Sequence, residues 1–527
     1  MHSLSIADYL VISVYLAGVA VIGLRAARRQ DSTSEYFVAN SSIPGFAVGF
    51  TLMTTTISSA TFVAIPGSVF ARNWWQLFYM SAALLVIPLV TSFAVPFYRR
   101  VVRMSVYEYL EHRFGYAARL YGSVGFAINR LTDVGYSLYT TAIAVEVIAG
   151  WKIHSVVIGV GIFTLLYTLI GGIEASIWTS ILQGVLMIGG AVVIMISVIS
   201  ESGMGAGPIF SYAYDGGKFA IGNTDLSFKS VYYEEPTAWI YFFAGLTTFV
   251  RLYLTEQSMV QRYLVARSDD DAKRGAKLGI LATVPTWFAF GVIGCALWSF
   301  YQLTPEELPA SVTGQPDTIL PYFIATHFPA GLIGLILAAL LSSSMSSVSA
   351  DLNSIATVAT KDHFVRLRPM ASDAVQLIFG RFAVMVGGIL CTAVALALTL
   401  TRSTASYEIA ALLVSILAGG LLGLFALGVL SKRATRRGAY AGIVATLVFV
   451  GWATLTSTLG VDLGFNFEMT PMLIGLFSNV LMFVVGYAVS VLWGGPPPQL
   501  KGLTIWSMRL AGLDPKKKSG ETASAGQ

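Results

Sequence analysis

Charge is scarce in this chain. Only 12% of its 527 residues are Asp, Glu, Lys or Arg, about half of what a soluble domain carries. The five histidines form no ligand spacing of the H-E-x-x-H kind. Cys295 and Cys391 stand far apart in apolar runs, which excludes a disulfide framework and a cysteine metal site. No nucleophile–base constellation and no phosphate-cradling glycine loop occurs, so an enzyme is not expected. No polar stretch is long enough for a second soluble domain, and nothing resembles a fused kinase or other output domain.

What the chain has instead is hydrocarbon. It is 55% hydrophobic, with a mean hydropathy of +0.71. Runs of about 20 apolar residues, enough to cross roughly 30 Å of lipid, recur throughout. The expectation is an all-α polytopic membrane protein. Thirteen candidate spans are read at 6–24, 45–70, 76–98, 118–149, 155–171, 175–199, 237–261, 277–301, 320–357, 376–400, 406–430, 438–458 and 469–493. The first lacks a basic segment before its apolar run, so it reads as a retained span and not a cleaved signal.

The cations fix an orientation. With the N-terminus outside, the cytoplasmic connections hold Arg25, Arg28 and Arg29, five cations from Arg99 to Arg119, five from Arg262 to Lys277, four from Lys361 to Arg381, four from Lys432 to Arg437, and five in the tail. The other side keeps Arg72, Lys152, Lys218, Lys229 and Arg402. Positive charge collects inside. Topology therefore explains the net charge of +5, and no nucleic-acid or obligate protein partner is expected. The partners are the bilayer, expected to be a bacterial inner membrane, and a small-molecule solute.

Arg130, Arg251, Asp133, Glu146 and Glu256 fall within spans. Each must face protein or a wet cavity, because an ionisable group in lipid costs at least a few kcal/mol. Arg130 and Asp133 share a helix face at i, i+3 and either pair or touch substrate. The same choice holds for Arg251 with Glu256. The segments 201–236 and 302–319 read as loops. The tail from Gly494 reads as disordered, with an apolar piece at 503–513 that could lie on the membrane surface.

Two spans are polar where a span should be plain. The second reads "TTTISSATFVAIPG" (54–67), with Pro66-Gly67 inside it. The ninth carries "SSSMSSVSADLNS" (342–354), with six serines between Ser342 and Ser349. The seventh is loosened at "AGLTTFVRLYLTEQ" (244–257). Interrupted spans at corresponding places in two halves point to the binding site of a secondary transporter. Ser343, Ser346 and Ser347 lie on one helix face at i, i+3 and i+4. Hydroxyls and freed carbonyls suit a hard cation such as sodium. Helix packing by small residues is the plainer alternative.

Several stretches together resemble the sodium/solute symporter family: "YFVANSSIPGFAVGFTLMTTTISSATFVAIPG", "MSVYEYLEHRFG", "LIGGIEASIWTSILQ", "QSMVQRYLVARS", "SSMSSVSADLNSIATVATKDHF" and "LGVLSKRATRRGAYAG". The resemblance implies a leucine-transporter-type 5+5 inverted repeat with broken core helices 1 and 6. The implied organisation is a first helix and connection (1–44), a first repeat (45–200), an outer loop (201–236), a second repeat (237–435), two peripheral helices (436–493) and a cytoplasmic tail (494–527). The family's sodium site carries over to backbone oxygens of Thr54, Ile57 and Ser343 and hydroxyls of Ser346 and Ser347. A second site, found in some members, uses an aspartate in "W-T-D-x-x-Q". Here the motif reads "WTSILQ", with Ser180 in that place, so one coupled sodium is expected.

Sugar-reading positions of the family hold Thr56, Thr61, Met80, Ala282 and Ala411 in this chain. Buried sugar hydroxyls left unpaired there would cost about 1–3 kcal/mol each, so sugar is disfavoured. The wording of the chain resembles the monocarboxylate and anion branch, which implies a carboxylate-bearing solute. The solute is expected among Thr56, Ser59, Thr61, Met80, Tyr136, Tyr253 and Arg251. Proton coupling through Asp133 or Glu146, and a solute-binding sensor or channel without coupled transport, are the alternatives.

Overall fold

A computed structural model describes residues 4–28, 30–225, 237–401, 419–493 and 502–510. The first part of the span expected at 406–430, Ala411, Lys229, Arg402 and most of the tail lie outside the described residues. Among these residues the structure is helical, and the one β contact is an isolated bridge between Ile43 and Ala266. Among the described residues nine helices are long and apolar enough to cross a membrane, ten if a bent pair counts as one. The chain is an all-α polytopic membrane protein.

The helices that matter here are α1 (Ile6–Ala27), α2 (Gly45–Thr56), α3 (Ser59–Ala71), α4 (Trp75–Val101), α5 (Tyr116–Ala149) and α6 (Ile153–Glu201). They continue with α7 (Ala238–Thr255), α8 (Gln257–Leu264), α9 (Asp269–Leu303), α10 (Ile319–His327) and α11 (Leu332–Val358). α12 (Asp373–Thr401), α13 (Leu421–Leu430), α14 (Arg436–Ser457) and α15 (Met472–Trp493) follow.

The difference from thirteen has physical causes. α6 has 49 residues, roughly 74 Å at 1.5 Å per residue, more than twice the hydrocarbon thickness. It is interrupted at Gly172, with φ 57° and ψ −149°. A Cβ there would stand 2.8 Å from the Tyr36 carbonyl oxygen, so only glycine fits this break. α5 fails the apolar test because Arg130, Asp133 and its hydroxyls lie on it.

Two readings need correcting. The span expected at 320–357 is two helices, α10 and α11. Pro329 lacks the N–H a continuous helix needs, and Gly331 takes a left-handed φ of 87°. The segment 201–236 is not all loop: Ala206–Asp215 is helical. Ile209 and Ala213, one turn apart, are buried, and Tyr212 stacks on Trp298 of α9.

The start of α11 is held from outside. Buried Asp8 of α1 accepts from Gly331 N at 2.8 Å and Gly334 N at 2.7 Å. A carboxylate thus meets the unpaired amides of the helix N-terminus. Asp8→Ala is expected to lower stability by about 1.5–3 kcal/mol, the range for hydrogen bonds to a charged group. Asp8→Asn should recover part of that loss. Thermal unfolding of the three purified proteins in detergent checks this, and unchanged melting would refute it.

Candidate functional site

The breaks in α2–α3 and α7–α8 are close, with Tyr253 of α7 against Thr56 at the end of α2, and they are finished differently. α7 ends at Thr255, and Glu256 is extended (φ −87°, ψ 127°) before α8 begins. The carbonyls freed there are met by tyrosines. Tyr263 Oη donates to Tyr253 O at 3.0 Å, Tyr98 Oη to Leu254 O, and Tyr107 Oη to Thr255 O at 3.3 Å. This break is closed by the protein itself.

The α2–α3 break is left more open. Ile57 and Ser58 are extended, and the axes on either side differ by 54°. Ser346 Oγ of α11 donates to Thr54 O at 3.1 Å, and no donor among the described residues reaches Ile57 O. Ser343 O lies 3.0 Å from Ser346 Oγ and 3.2 Å from Ser347 Oγ. Four oxygens from Thr54, Ser343, Ser346 and Ser347 are therefore adjacent. Oxygens about 2.4 Å from a hard cation, at right angles, would be about 3.4 Å apart. Each hydroxyl sends its hydrogen to a carbonyl, which leaves its lone pairs unengaged.

α11 is fixed around this face by α6. Tyr167 Oη donates to Met345 O at 3.0 Å, Ser176 and Ser349 hydroxyls meet at 3.0 Å, and Asn353 Nδ2 reaches Gly172 O at 3.4 Å. Ser180 is buried, with its hydroxyl on Ser176 O at 2.6 Å. Among the described residues no group of three or more His, Cys, Asp and Glu could hold a metal ion.

The residues expected around a solute separate into groups. Thr56 Oγ1 lies 3.1 Å from Thr283 Oγ1 of α9, and the Tyr253 hydroxyl lies against both. Ser59 is turned to α5, donating to Ser137 O at 2.8 Å, with Thr140 Oγ1 at 2.9 Å. Thr61 is buried, its amide on Ser58 O. Met80 and Tyr136 are half-buried. Arg251 is ion-paired with Glu256.

The charges inside the bundle exceed those the sequence suggested. Arg130 pairs with Asp133 at 3.1 Å and lies 3.6 Å from Asp351 and 3.8 Å from Glu256. Asp351 adds a charge that the serine-rich stretch conceals in the sequence. Arg262, counted above as a cytoplasmic cation, is fully buried in α8, and none of its guanidinium nitrogens has a hydrogen-bond partner among the described residues. Thr283, Ser137 and Thr140 were also missed, since a lone hydroxyl in an apolar span carries no spacing signal.

Comparison with known proteins follows the same lines. A family model described as "Sodium:solute symporter family" matches residues 36–446. The chain is 32% identical over 483 residues to the sodium/sialic acid symporter NanT of Aliivibrio fischeri, covering 91% of this chain and 92% of that one. It is 31% identical over 505 residues to the sodium/sialic acid symporter SiaT of Proteus mirabilis, covering 95% and 98%. A solved structure of a Na+-coupled sialic acid symporter, substrate-bound and outward-open, superposes with a TM-score of 0.83 at 30% identity, covering 94% of this chain and all of that one.

Proposed function

The chain belongs to the sodium:solute symporter family, and from that premise we propose that it imports a small organic solute by alternating access, driven by one sodium ion per cycle. The N-terminus lies outside and the C-terminus in the cytoplasm of a bacterial inner membrane. The observation that carries this reading is the contrast between the breaks. Tyrosines cap the carbonyls of α7, while Thr54 O meets the serines of α11.

Sodium sits among Thr54 O, Ile57 O, Ser343 O, Ser346 Oγ and Ser347 Oγ. These oxygens are neutral, so the ion supplies the only charge and no carboxylate must change protonation to admit it. Sodium holds α2 and α11 together and favours the solute-accepting form, and by linkage the solute tightens sodium. Ser180, where some relatives place an aspartate, supports a single ion. The solute is read by Thr56, Ser59, Thr61, Met80, Tyr136, Tyr253 and Arg251. Ser59 contributes through α5, since its hydroxyl is engaged with Ser137 and Thr140.

A carboxylate-bearing solute is favoured. The opposition of carboxylate to sugar is less sharp than the sequence suggested, because sialic acid, named for two relatives, is a carboxylated sugar. Energetics narrow the choice. One sodium entering at 100 mV releases about 2.3 kcal/mol, and a tenfold gradient adds about 1.4. A net-neutral solute is then concentrated several-hundredfold, a monoanion only about tenfold.

The test is current on a solid-supported membrane of proteoliposomes challenged with a solute panel. Uptake of labelled solute, with current where the solute is net neutral, is expected in sodium and absent in choline at every pH gradient. Current that follows pH and ignores sodium would establish proton coupling. Solute-dependent stabilisation with neither current nor uptake of that solute, labelled, in any ion would establish a sensor.

A further inference from the structure

From the α7–α8 break to α5 runs an ion-paired chain that alternates in sign. Arg251 pairs with Glu256, Glu256 Oε2 lies 3.8 Å from Arg130 Nε, and Arg130 Nη1 lies 3.1 Å from Asp133 Oδ2. Asp351 flanks Arg130 at 3.6 Å, with Arg262 fully buried behind it. The interior members are sealed: Glu256 is 1% exposed, Asp351 3% and Arg130 11%. The ends are not. Arg251 is 22% exposed and Asp133 57%. The two members that water reaches best are a guanidinium and a carboxylate.

Asp133 does not open toward lipid. The outer face of α5 is marked by Leu120 and Val124, both apolar and exposed. Asp133 is nine residues from Val124, about two and a half turns, which puts it on the opposite side of the helix. Its neighbours one turn along that inner face are Ser137 and Arg130. Ser137 holds Ser59 of the broken helix through its carbonyl and its hydroxyl. The carboxylate therefore looks into the interior beside the α2–α3 break. It also keeps one oxygen beyond the one that faces Arg130.

We propose that Asp133 selects the solute, receiving a cationic group on it, so that the carboxylate-bearing solute is a zwitterion with an ammonium or quaternary ammonium. This rests on the symport reading above and deepens it. The exposed ends of the ion-pair chain match both poles of such a molecule: Asp133 takes the cation and Arg251 the carboxylate. A monocarboxylate could pair with Arg251 but would bring Asp133 no cation for its second oxygen. A zwitterion travelling with one sodium also carries net positive charge inward, so the membrane potential drives it, whereas a monoanion with one sodium is electroneutral.

The experiment is thermal unfolding of the purified full chain in sodium against three compound classes: ammonium-bearing carboxylates (glycine betaine, L-proline, L-alanine), monocarboxylates (lactate, pyruvate) and N-acetylneuraminic acid. The wild type is expected to be stabilised within the first class only. Asp133→Asn should bind the stabilising compound at least tenfold more weakly, and Asp133→Glu should restore part of that. Arg130 keeps Glu256 and Asp351 as partners in both variants, and melting without solute verifies that they fold. Sodium affinity without solute should stay within twofold. Stabilisation by the other classes alone, by no ammonium-bearing compound, or equally in Asp133→Asn would overturn the proposal. So would an Asp133→Asn protein that loses the sodium response itself, since the carboxylate would then serve the ion. A wild type indifferent to sodium would instead sink the symport reading.

Discussion

Protein carrying Ser346→Ala and Ser347→Ala is expected to melt at the same temperature in sodium as in potassium or choline, while the unaltered chain is stabilised by sodium alone. A ligand that binds only the folded state stabilises it by about 2.7 kcal/mol at a hundredfold excess over Kd, and that increment is what the variant should lose. Basal stability should fall far less. Both hydroxyls donate to carbonyls, Ser346 to Thr54 O and Ser343 O and Ser347 to Ser343 O. Hydrogen bonds of this neutral type contribute about 0.5–1.5 kcal/mol each. Alanine also leaves a methyl-sized surface in a helix that already contains small residues. The variant should therefore fold, bind solute weakly, and ignore sodium. A sodium shift of wild-type size in the double variant would move the ion elsewhere and return the serines to packing.

The second large effect concerns the segment that continues α11 beyond Val358. Asp362, whose side chain is 0% exposed, accepts from Arg119 Nε at 3.0 Å and from Ser105 Oγ at 2.8 Å. Arg119 also donates to Lys361 O at 2.9 Å and pairs with Glu111 at 2.5 Å. It thereby joins α5, the extension of α11 and the short helix Glu108–Phe114. Arg119→Leu strands a buried carboxylate, and breaking such a pair destabilises by about 3–5 kcal/mol. Arg119→Leu/Asp362→Leu should regain most of this, because both members of the pair are then removed and Glu111 keeps Arg366. Denaturant or thermal unfolding of the two variants decides the matter. A single variant as stable as wild type, or a double variant worse than the single, would refute the pairing as the cause.

How much of this could be read in advance depends on range. Spans and the serine face were legible because hydropathy and an i, i+3, i+4 spacing are local properties. The interruption of the second span was legible from its hydroxyls and Pro66-Gly67, although helix resumes before that pair, at Ser59. Arg262 was misread for a physical reason. A cation just past an apolar run looks like a loop anchor, and only the packing of α8 among its neighbours buries it. The tyrosine caps of α7 come from Tyr98, Tyr107 and Tyr263, two of them some 150 residues away in sequence, so no window could show them. The stop between α10 and α11 was different. Pro329 and Gly331 signalled it plainly, and apolar continuity on both sides hid it.

α11 closes the question of why a helix inside a membrane protein carries so many hydroxyls. Its most apolar window is 89% buried within the protein, against 28% for α1 and α15. The solvent of this helix is other helices. Lipid sets no demand on its surface, and the scale that ranks residues by their comfort in hydrocarbon does not apply to it. Its sequence answers to the rules of a soluble protein's interior, where polar groups are admitted once they are bonded. The bilayer is met by the outer ring, and within that ring this protein keeps a small interior of its own in which oxygen is an ordinary building material.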